Sequence, residues 1–214
     1  MRKNIIYSLL LVVAALFAGC DSRLDIEKHG NMGDQNDFYQ TDEQTEQAVA
    51  SMYSSLKGLY YNWFFTKNLL SDDVWCGGGQ RGDNTSLEQL NEYTYGTDNG
   101  MIQGVFSGLY ALIYQSNLVI EKVADDTPVK KRAIAEAKFF RAWANFELVT
   151  LWGTAPLVDH LLEPGEYRQG NSTPEALWAA VESDLNDAIS MNALPSKKNK
   201  DDQVTGMRVT QEVA

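Results

Sequence analysis

Residues 135–158 read AEAKFFRAWANFELVTLWGTAPLV, and this stretch decides the fold. Its apolar residues recur at helical spacing and form two separate stripes. The first stripe holds Ala137, Phe140, Ala144, Leu148 and Leu151, and the second holds Phe139, Trp143 and Phe146. A helix that is apolar on two sides packs against neighbours on both sides. The stretch therefore predicts a central helix with other helices around it.

Start and stop signals give this helix its bounds. Thr127 can cap its first turn, Pro128 suits the first helical position, and Gly153 suits the position after the last turn. We therefore predict a helix over residues 128–152. The same periodicity predicts further helices over residues 100–124 and 174–191.

The segment before residue 100 is less regular. Residues 41–44 form a capping-box pattern, which predicts a helix over about 42–61 and a second helical piece over about 63–70. Residues 71–99 show no helical period, and four glycines lie between residues 71 and 84. We predict a long loop here, and long loops in compact domains often carry function.

The predicted elements define an all-α fold of stacked helical hairpins. No segment shows a strong strand pattern, and the helices pair in chain order, the last with a helix that opens at Thr210. Ala142, Phe146 and Pro156 match part of the tetratricopeptide pattern. Because the sequence stops at Ala214, directly after that helix start, we expect it to be a truncated, N-terminal part of a longer helical domain.

The N-terminus has the pattern of an export signal. Arg2 and Lys3 precede an apolar run that is too short to span a membrane, and small residues then precede Cys20. This arrangement resembles the lipobox of bacterial lipoproteins, which predicts lipid attachment to Cys20; the alternative is an ordinary secreted protein with a chance cysteine. The predicted parts are a signal peptide (1–19), a lipidated N-terminus with a spacer (20–40) and an incomplete helical domain (41–214).

Composition excludes several classes of function. Removing Arg2 and Lys3 with the signal peptide leaves 16 of the 18 basic residues against 29 acidic ones, a net charge of −13. Such a chain is not expected to bind nucleic acid or an anionic membrane through bulk charge. Only Cys76 remains beside the lipidated cysteine, so no internal disulfide can form. With two histidines and no phosphate-loop signature, we predict neither a metal site nor a bound cofactor.

Several segments resemble one family and occur in the family's own order. They cover residues 38–43, 71–73, 110–120, 135–149, 151–158, 173–175 and 184–188. The block over residues 135–158 is the most specific of them. On these residues the chain resembles the N-terminal half of the SusD/RagB family, the surface glycan-binding lipoproteins of Bacteroidetes.

The resemblance implies a tethered receptor and not an enzyme. Family members lie on a SusC-like TonB-dependent transporter of the outer membrane and hold an oligosaccharide, or sometimes a peptide-type nutrient. We expect the 71–99 loop to contribute to the binding face. Trp75 can stack on a sugar ring, while Asp73, Arg81 and Asn84 can bond its hydroxyl groups. The simpler interpretation makes Trp75 a packed anchor of the loop and leaves the three polar residues solvated.

Two other functions stay open at this stage. One is a helical-repeat adaptor that binds the transporter and no glycan. The other is a surface glycosidase, which needs two partnered carboxyl groups in a cleft. Asp72 and Asp73 are adjacent in sequence and need not face each other in this way.

Overall fold

The computed structural model describes residues 38–197 and 206–214. Within these ranges the fold consists of five α-helices and one 3-10 turn, with a single β-bridge between Ala155 and Ser172. The helices are α1 (Asp42–Leu69), α2 (Thr85–Asn91), α3 (Gly100–Lys122), α4 (Pro128–Trp152) and α5 (Pro174–Ser190), and the 3-10 turn is Pro164–Glu166. The all-α prediction is confirmed. The predicted signal peptide, Cys20 and most of the predicted spacer lie outside the described residues.

α1 is a single helix, so the predicted break near residue 62 is wrong. The predicted capping box forms, because the Thr41 hydroxyl accepts from the Gln44 N–H at 3.2 Å and the Gln44 side chain accepts from the Thr41 N–H at 3.1 Å. Consecutive aromatic residues obscured the helical period beyond residue 62. The buried stripe nevertheless continues from Leu59 through Thr66 to Leu69.

The predicted loop over residues 71–99 contains a short helix, α2. Asn84 caps it by accepting from the Leu87 N–H at 3.3 Å. Leu87 and Leu90 then pack with Leu69 in a small apolar cluster separate from the main core. Seven residues give too few turns for a clear period, and the sequence-based prediction missed the helix for that reason.

α3, α4 and α5 follow the predicted bounds to within two residues. The Thr127 hydroxyl accepts from the Lys130 N–H at 3.2 Å, and Pro128 occupies the first turn of α4. Gly153 has a φ of +74°, in the left-handed region that favours glycine. Its N–H donates to the Val149 carbonyl at 2.9 Å and completes the last turn.

The helices stack around α4. α1 packs on α3, α3 on α4 and α4 on α5, while α1 also contacts α4 directly. One apolar core joins them. In the first predicted stripe of α4, four residues are buried and Leu151 is partly buried; in the second, Phe139 and Trp143 are partly buried, whereas Phe146 is exposed. Packing on more than one side of α4 is therefore confirmed. No helix in the described part of the chain is both long and apolar enough to cross a membrane.

Two glycines allow α1 and α3 to approach closely. A Cβ atom added to Gly108 would lie 2.7 Å from Leu59 Cδ1, and one added to Gly104 would overlap the side-chain amide of Asn62. Both glycines lie on the face of α3 that contacts α1, one turn apart. A larger residue at either position would have to push its neighbour aside.

A buried polar network ties α3, α4 and α5 to the connection that follows α4. Arg141 donates from Nε and Nη2 to the two carboxylate oxygens of Asp184, at 2.7 Å each. Its Nη1 donates to Asn117 Oδ1 at 2.8 Å and to the Asp159 carbonyl at 2.6 Å. Asn117 in turn donates to the His160 carbonyl at 2.9 Å. Since Arg141 and Asp184 are 8% and 5% exposed, this pairing replaces the hydration that both charges lose.

The last described segment, residues 206–214, binds back onto α1 and α4. Arg208 donates to Glu136 on α4 at 2.8 Å and to Glu46 on α1 at 2.7 Å. Glu136 is fully buried, and this burial raises its pKa. The hydrogen bonds and charge of Arg208 lower the pKa but do not cancel the rise. A single hydrogen-bonded turn follows, in which the Ala214 N–H donates to the Thr210 carbonyl at 3.2 Å, at the place where a further helix is predicted to begin.

Candidate functional site

The loop after α1 is held against the end of α2. The Asn91 side chain accepts from the Cys76 N–H and donates to the Val74 carbonyl, both at 3.1 Å. The Tyr93 hydroxyl donates to the Leu70 carbonyl at 3.0 Å. Residues 70–76 therefore lie beside residues 91–93, and the hydrogen bonds of two side chains set the position of the loop.

Carboxylates fix the glycine-rich part of the loop. Asp83 Oδ2 accepts from the N–H groups of Gly79 at 2.6 Å and Gln80 at 3.0 Å. Gly82 has a φ of +88°, and its N–H donates to Glu88 Oε1 at 2.7 Å. The tip of the loop is thus attached to α2 in spite of its glycines.

Arg81 connects the loop to the segment that follows α2. Its guanidinium binds both carboxylate oxygens of Glu92, with 3.1 Å between Nη2 and Oε2, and its Nε lies 3.9 Å from Glu88 Oε2. The hydrogen bonds from Arg81 lower the pKa of Glu92, and the carboxylate raises the pKa of Arg81. Glu92 therefore stays ionised, and the two-point contact fixes the plane of the guanidinium.

The residues that make these contacts border an open groove of about 230 Å³, which we name the Trp75 groove. It is lined by Trp75, Cys76, Gly77, Gly78, Gln80, Arg81, Glu88, Asn91 and Glu92. Trp75 is 77% exposed, so its indole ring presents a flat apolar face to solvent. An aromatic plane beside fixed guanidinium, amide and carboxylate groups suits a ligand with one apolar face and hydroxyl groups at its edge.

Two of the four predicted binding residues line the Trp75 groove. Trp75 and Arg81 meet there, as the loop hypothesis expects. Asp73 is exposed in the loop and does not line the groove. Asn84 also lies outside it, because its side-chain oxygen caps α2. The structure therefore brings one aromatic and one cationic candidate together and leaves the other two apart.

Reasoning from the sequence missed the acidic wall of the groove. Glu88, Asn91 and Glu92 come from α2 and the residue after it, a segment predicted as loop. A signal was present, since a capping asparagine precedes two leucines spaced three residues apart.

Metal-ligating side chains do not gather at the groove. Within residues 38–197 and 206–214, no three His, Cys, Asp or Glu side chains are grouped to hold a metal ion. Cys76 has a free thiol, whose Sγ lies 3.7 Å from the Gly77 carbonyl oxygen. The polar side chains that line the groove carry guanidinium, amide and carboxylate groups.

Comparison with known proteins defines the family to which this chain belongs. Residues 26–214 match a SusD-like family described as "Starch-binding associating with outer membrane". The match covers most of the chain, which therefore belongs to the SusD-like family.

Individual relatives agree with this assignment. A SusD-like protein of Bacteroides ovatus is 31% identical over 209 residues, which cover 90% of this chain and 36% of the relative. SusD-like protein P2 of Formosa agariphila is 27% identical over 205 residues, which cover 89% of this chain and 40% of the relative. The solved structure of a laminarin-binding SusD-like protein is 26% identical and has a TM-score of 0.70. The match covers 81% of this chain and 38% of that protein. This chain thus spans well under half the length of these relatives.

Proposed function

We propose that this protein captures an oligosaccharide in the Trp75 groove. Trp75 carries the proposal, because packing does not account for an indole ring that is 77% exposed at the edge of a polar groove. The ring would stack on the apolar face of a sugar, while Arg81 and Glu92 would bond its hydroxyl groups. The starch-binding description of the family and the laminarin-binding relative support a glucan as the ligand.

Binding without catalysis fits the electrostatics of the groove. A glycosidase needs a general acid with a raised pKa opposite a second carboxyl group. Arg81 instead lowers the pKa of Glu92 and holds it as an ion pair. Burial does raise the pKa of Glu136, but this carboxyl group lies in the interior and binds Arg208. We therefore propose a receptor and not an enzyme.

The proposal includes an outer-membrane location and a transporter partner. Lipid on Cys20 would anchor the protein, and a SusC-like TonB-dependent transporter would receive the captured sugar. The lipobox-like sequence and the family's association with the outer membrane support this part. Each buried methylene contributes about 0.8 kcal/mol, so several acyl chains on one cysteine would hold the protein firmly where a single chain would not.

Isothermal titration of the full-length protein with laminarihexaose and maltohexaose tests the binding site. We expect Trp75→Ala to weaken binding of the preferred sugar about tenfold or more, since burying an aromatic contact contributes about 1.5–3 kcal/mol. Tyr167→Ala is the matched control, because Tyr167 is 68% exposed and does not line the groove. Unchanged affinity in Trp75→Ala would place the ligand elsewhere.

Two further assays separate the alternative functions. Release of reducing ends from laminarin or starch by the purified protein would indicate a glycosidase. Co-purification with the transporter, together with an absence of glycan binding, would indicate an adaptor. We expect glycan binding with no reducing ends.

Fractionation of cells that express single-cysteine variants tests the anchor. We expect Cys20→Ser to lose incorporated fatty acid and to leave the outer-membrane fraction. Cys76→Ser is the control and should keep both the label and the location. Continued acylation of Cys20→Ser would show that the lipid is attached at another residue.

A further inference from the structure

A second pocket is lined by residues that adjoin the ends of the loop. Its volume is about 350 Å³, and we name it the Tyr95 pocket. The ends of α1 and α4, the start of α3 and the segment around Tyr95 form its walls. Leu70 and Leu151 supply apolar surface, and Tyr95 and Trp152 supply aromatic rings. Tyr95 is 40% exposed, so part of its ring is open to a ligand.

The two cavities share one pair of backbone segments. Leu70 borders the Tyr95 pocket, and Cys76 borders the Trp75 groove six residues later. The opposite segment likewise runs from Glu92 at the groove to Tyr95 at the pocket. Six extended residues span at most about 20 Å, a distance that an oligosaccharide of a few units can bridge.

Tyr93 stands in sequence between Glu92 and Tyr95, and it has an unusual backbone. Its φ is +55°, in the left-handed region that bulky side chains rarely occupy. The ring is 59% exposed, and the hydroxyl is held by the Leu70 carbonyl. Strain of this kind persists at functional sites when surrounding contacts enforce it. Here the turn at Tyr93 stands between Glu92, which lines the Trp75 groove, and Tyr95, which lines the Tyr95 pocket.

We infer that the Tyr95 pocket is a second sugar subsite, which binds a further unit of the same oligosaccharide. Tyr95 and Trp152 would contact the apolar face of that unit. The pocket also has polar groups. Thr97 lines it, and the Gln103 side-chain amide donates to the Thr97 carbonyl at 3.1 Å. Thr66 also lines it, and its buried hydroxyl has no hydrogen-bond partner among the described residues. This inference rests on the proposed glycan-binding function.

The dependence of affinity on ligand length tests the inference. We expect laminarihexaose or maltohexaose to bind the full-length protein at least tenfold more tightly than the disaccharide of the same series. Tyr95→Ala should remove this gain and leave the disaccharide affinity unchanged. Trp75→Ala should weaken both ligands, and Tyr167→Ala should weaken neither. Circular dichroism melting of each variant confirms that it is folded at the temperature of the titration.

The pattern of losses distinguishes the subsite from the groove. If Tyr95→Ala still binds the hexasaccharide more tightly than the disaccharide, while Trp75→Ala loses binding, the second subsite is overturned and the proposed function stays intact. A loss of sugar affinity in Tyr95→Ala but not in Trp75→Ala overturns the assignment of the groove and supports the Tyr95 pocket as a sugar site. Failure of wild type to bind any of the four sugars overturns both.

Discussion

Arg141 and Asp184 illustrate what the polar residues in the family-like segments do. Both lie in stretches that resemble SusD-like proteins, yet they meet each other in the interior and not at the Trp75 groove. A buried charge is tolerated when a partner and further hydrogen bonds replace its water. These residues therefore hold α4, α5 and the following connection together, and we assign them no role in ligand binding.

We expect Asp184→Asn to lower the free energy of unfolding by about 3 kcal/mol, because Arg141 would keep a buried charge without a carboxylate partner. Urea denaturation followed by circular dichroism measures the loss. Asp187→Asn is the control: Asp187 lies 2.7 Å from Lys138 Nζ, but its side chain is 55% exposed. We expect that variant to lose less than about 1 kcal/mol. Equal losses would contradict the importance of burial.

His160 is a residue whose charge should depend on pH in a defined direction. Its Nδ1 lies 2.7 Å from Asp159 Oδ1, and its Nε2 lies 3.1 Å from Glu166 Oε2. These hydrogen bonds raise the pKa of His160 above its ordinary value of 6.5. Because the folded-state pKa is the higher one, the contacts contribute stability below pH 6.5, and this contribution is lost as pH rises through the raised pKa.

We expect Glu166→Gln to move the pKa of His160 back toward 6.5, since one of the two carboxylates is then neutral. NMR titration of the imidazole signals measures the change, and a His29→Gln variant assigns the two histidines. Glu175→Gln, an exposed residue in the first turn of α5, is the control and should leave the titration unchanged. An identical pKa in Glu166→Gln would show that Asp159 alone causes the shift.

At the scale of helices, the contact between α1 and α3 depends on residues without side chains. Gly108 meets Leu59 so closely that an added methyl group would overpack the contact, which typically costs about 1–3 kcal/mol. Alanine gains up to about 1 kcal/mol of helix propensity over glycine, which offsets only part of this cost. We expect Gly108→Ala to be less stable than wild type by about 1 kcal/mol in urea denaturation.

Gly58→Ala is the matched control for that prediction. Gly58 lies within α1, and apart from its chain neighbours and the backbone of its own helix no atom lies within 4 Å of the position a Cβ would take. We expect this variant to gain up to about 1 kcal/mol from helix propensity alone. Opposite signs for the two substitutions would confirm that close packing, and not propensity, determines the choice of glycine in α3. A gain in both would contradict it.

The helices show where sequence reasoning succeeds and where it fails. α4 was predicted to the residue because its period, its Thr127 cap and its Gly153 end agree with one another. α2 was missed because seven residues give too few turns for a clear period, and periodicity does not reveal its contact with Leu69. The prediction of the Trp75 groove was incomplete because part of its lining comes from α2. Trp75 stands out by residue type, whereas Glu88 and Glu92 reach the groove only through a helix of seven residues.

At the scale of the whole molecule, Arg208 joins the last described segment to the first helix. We expect Arg208→Met to lower the free energy of unfolding by about 3 kcal/mol at pH 8, because Glu136 would remain buried without its cationic partner. The deficit should shrink toward pH 5, since a carboxyl group whose pKa is raised takes up a proton and loses its charge. Urea denaturation at both pH values measures this change.

Two variants complete this test. Arg168→Met removes an exposed arginine from the connection before α5 and should change stability by less than about 1 kcal/mol at either pH. The double variant Glu136→Met with Arg208→Met should recover much of the loss, because a buried pair can be replaced by apolar residues of similar size. No recovery would mean that Arg208 acts mainly through Glu46 on α1.

The link between Arg208 and Glu46 also determines when the fold can be finished during synthesis. The two residues are 162 positions apart, and a ribosome adds about 5–20 residues per second. Helices form within microseconds, and 139 positions separate Leu69, the last residue of α1, from Arg208. α1 is therefore complete roughly 7–28 s before its cationic partner leaves the ribosome. Glu46 lacks Arg208 throughout that interval, and Glu136 lacks it from its own synthesis until residue 208 is made. The nascent protein therefore keeps a region that is open to chaperones and proteases until translation has passed residue 208.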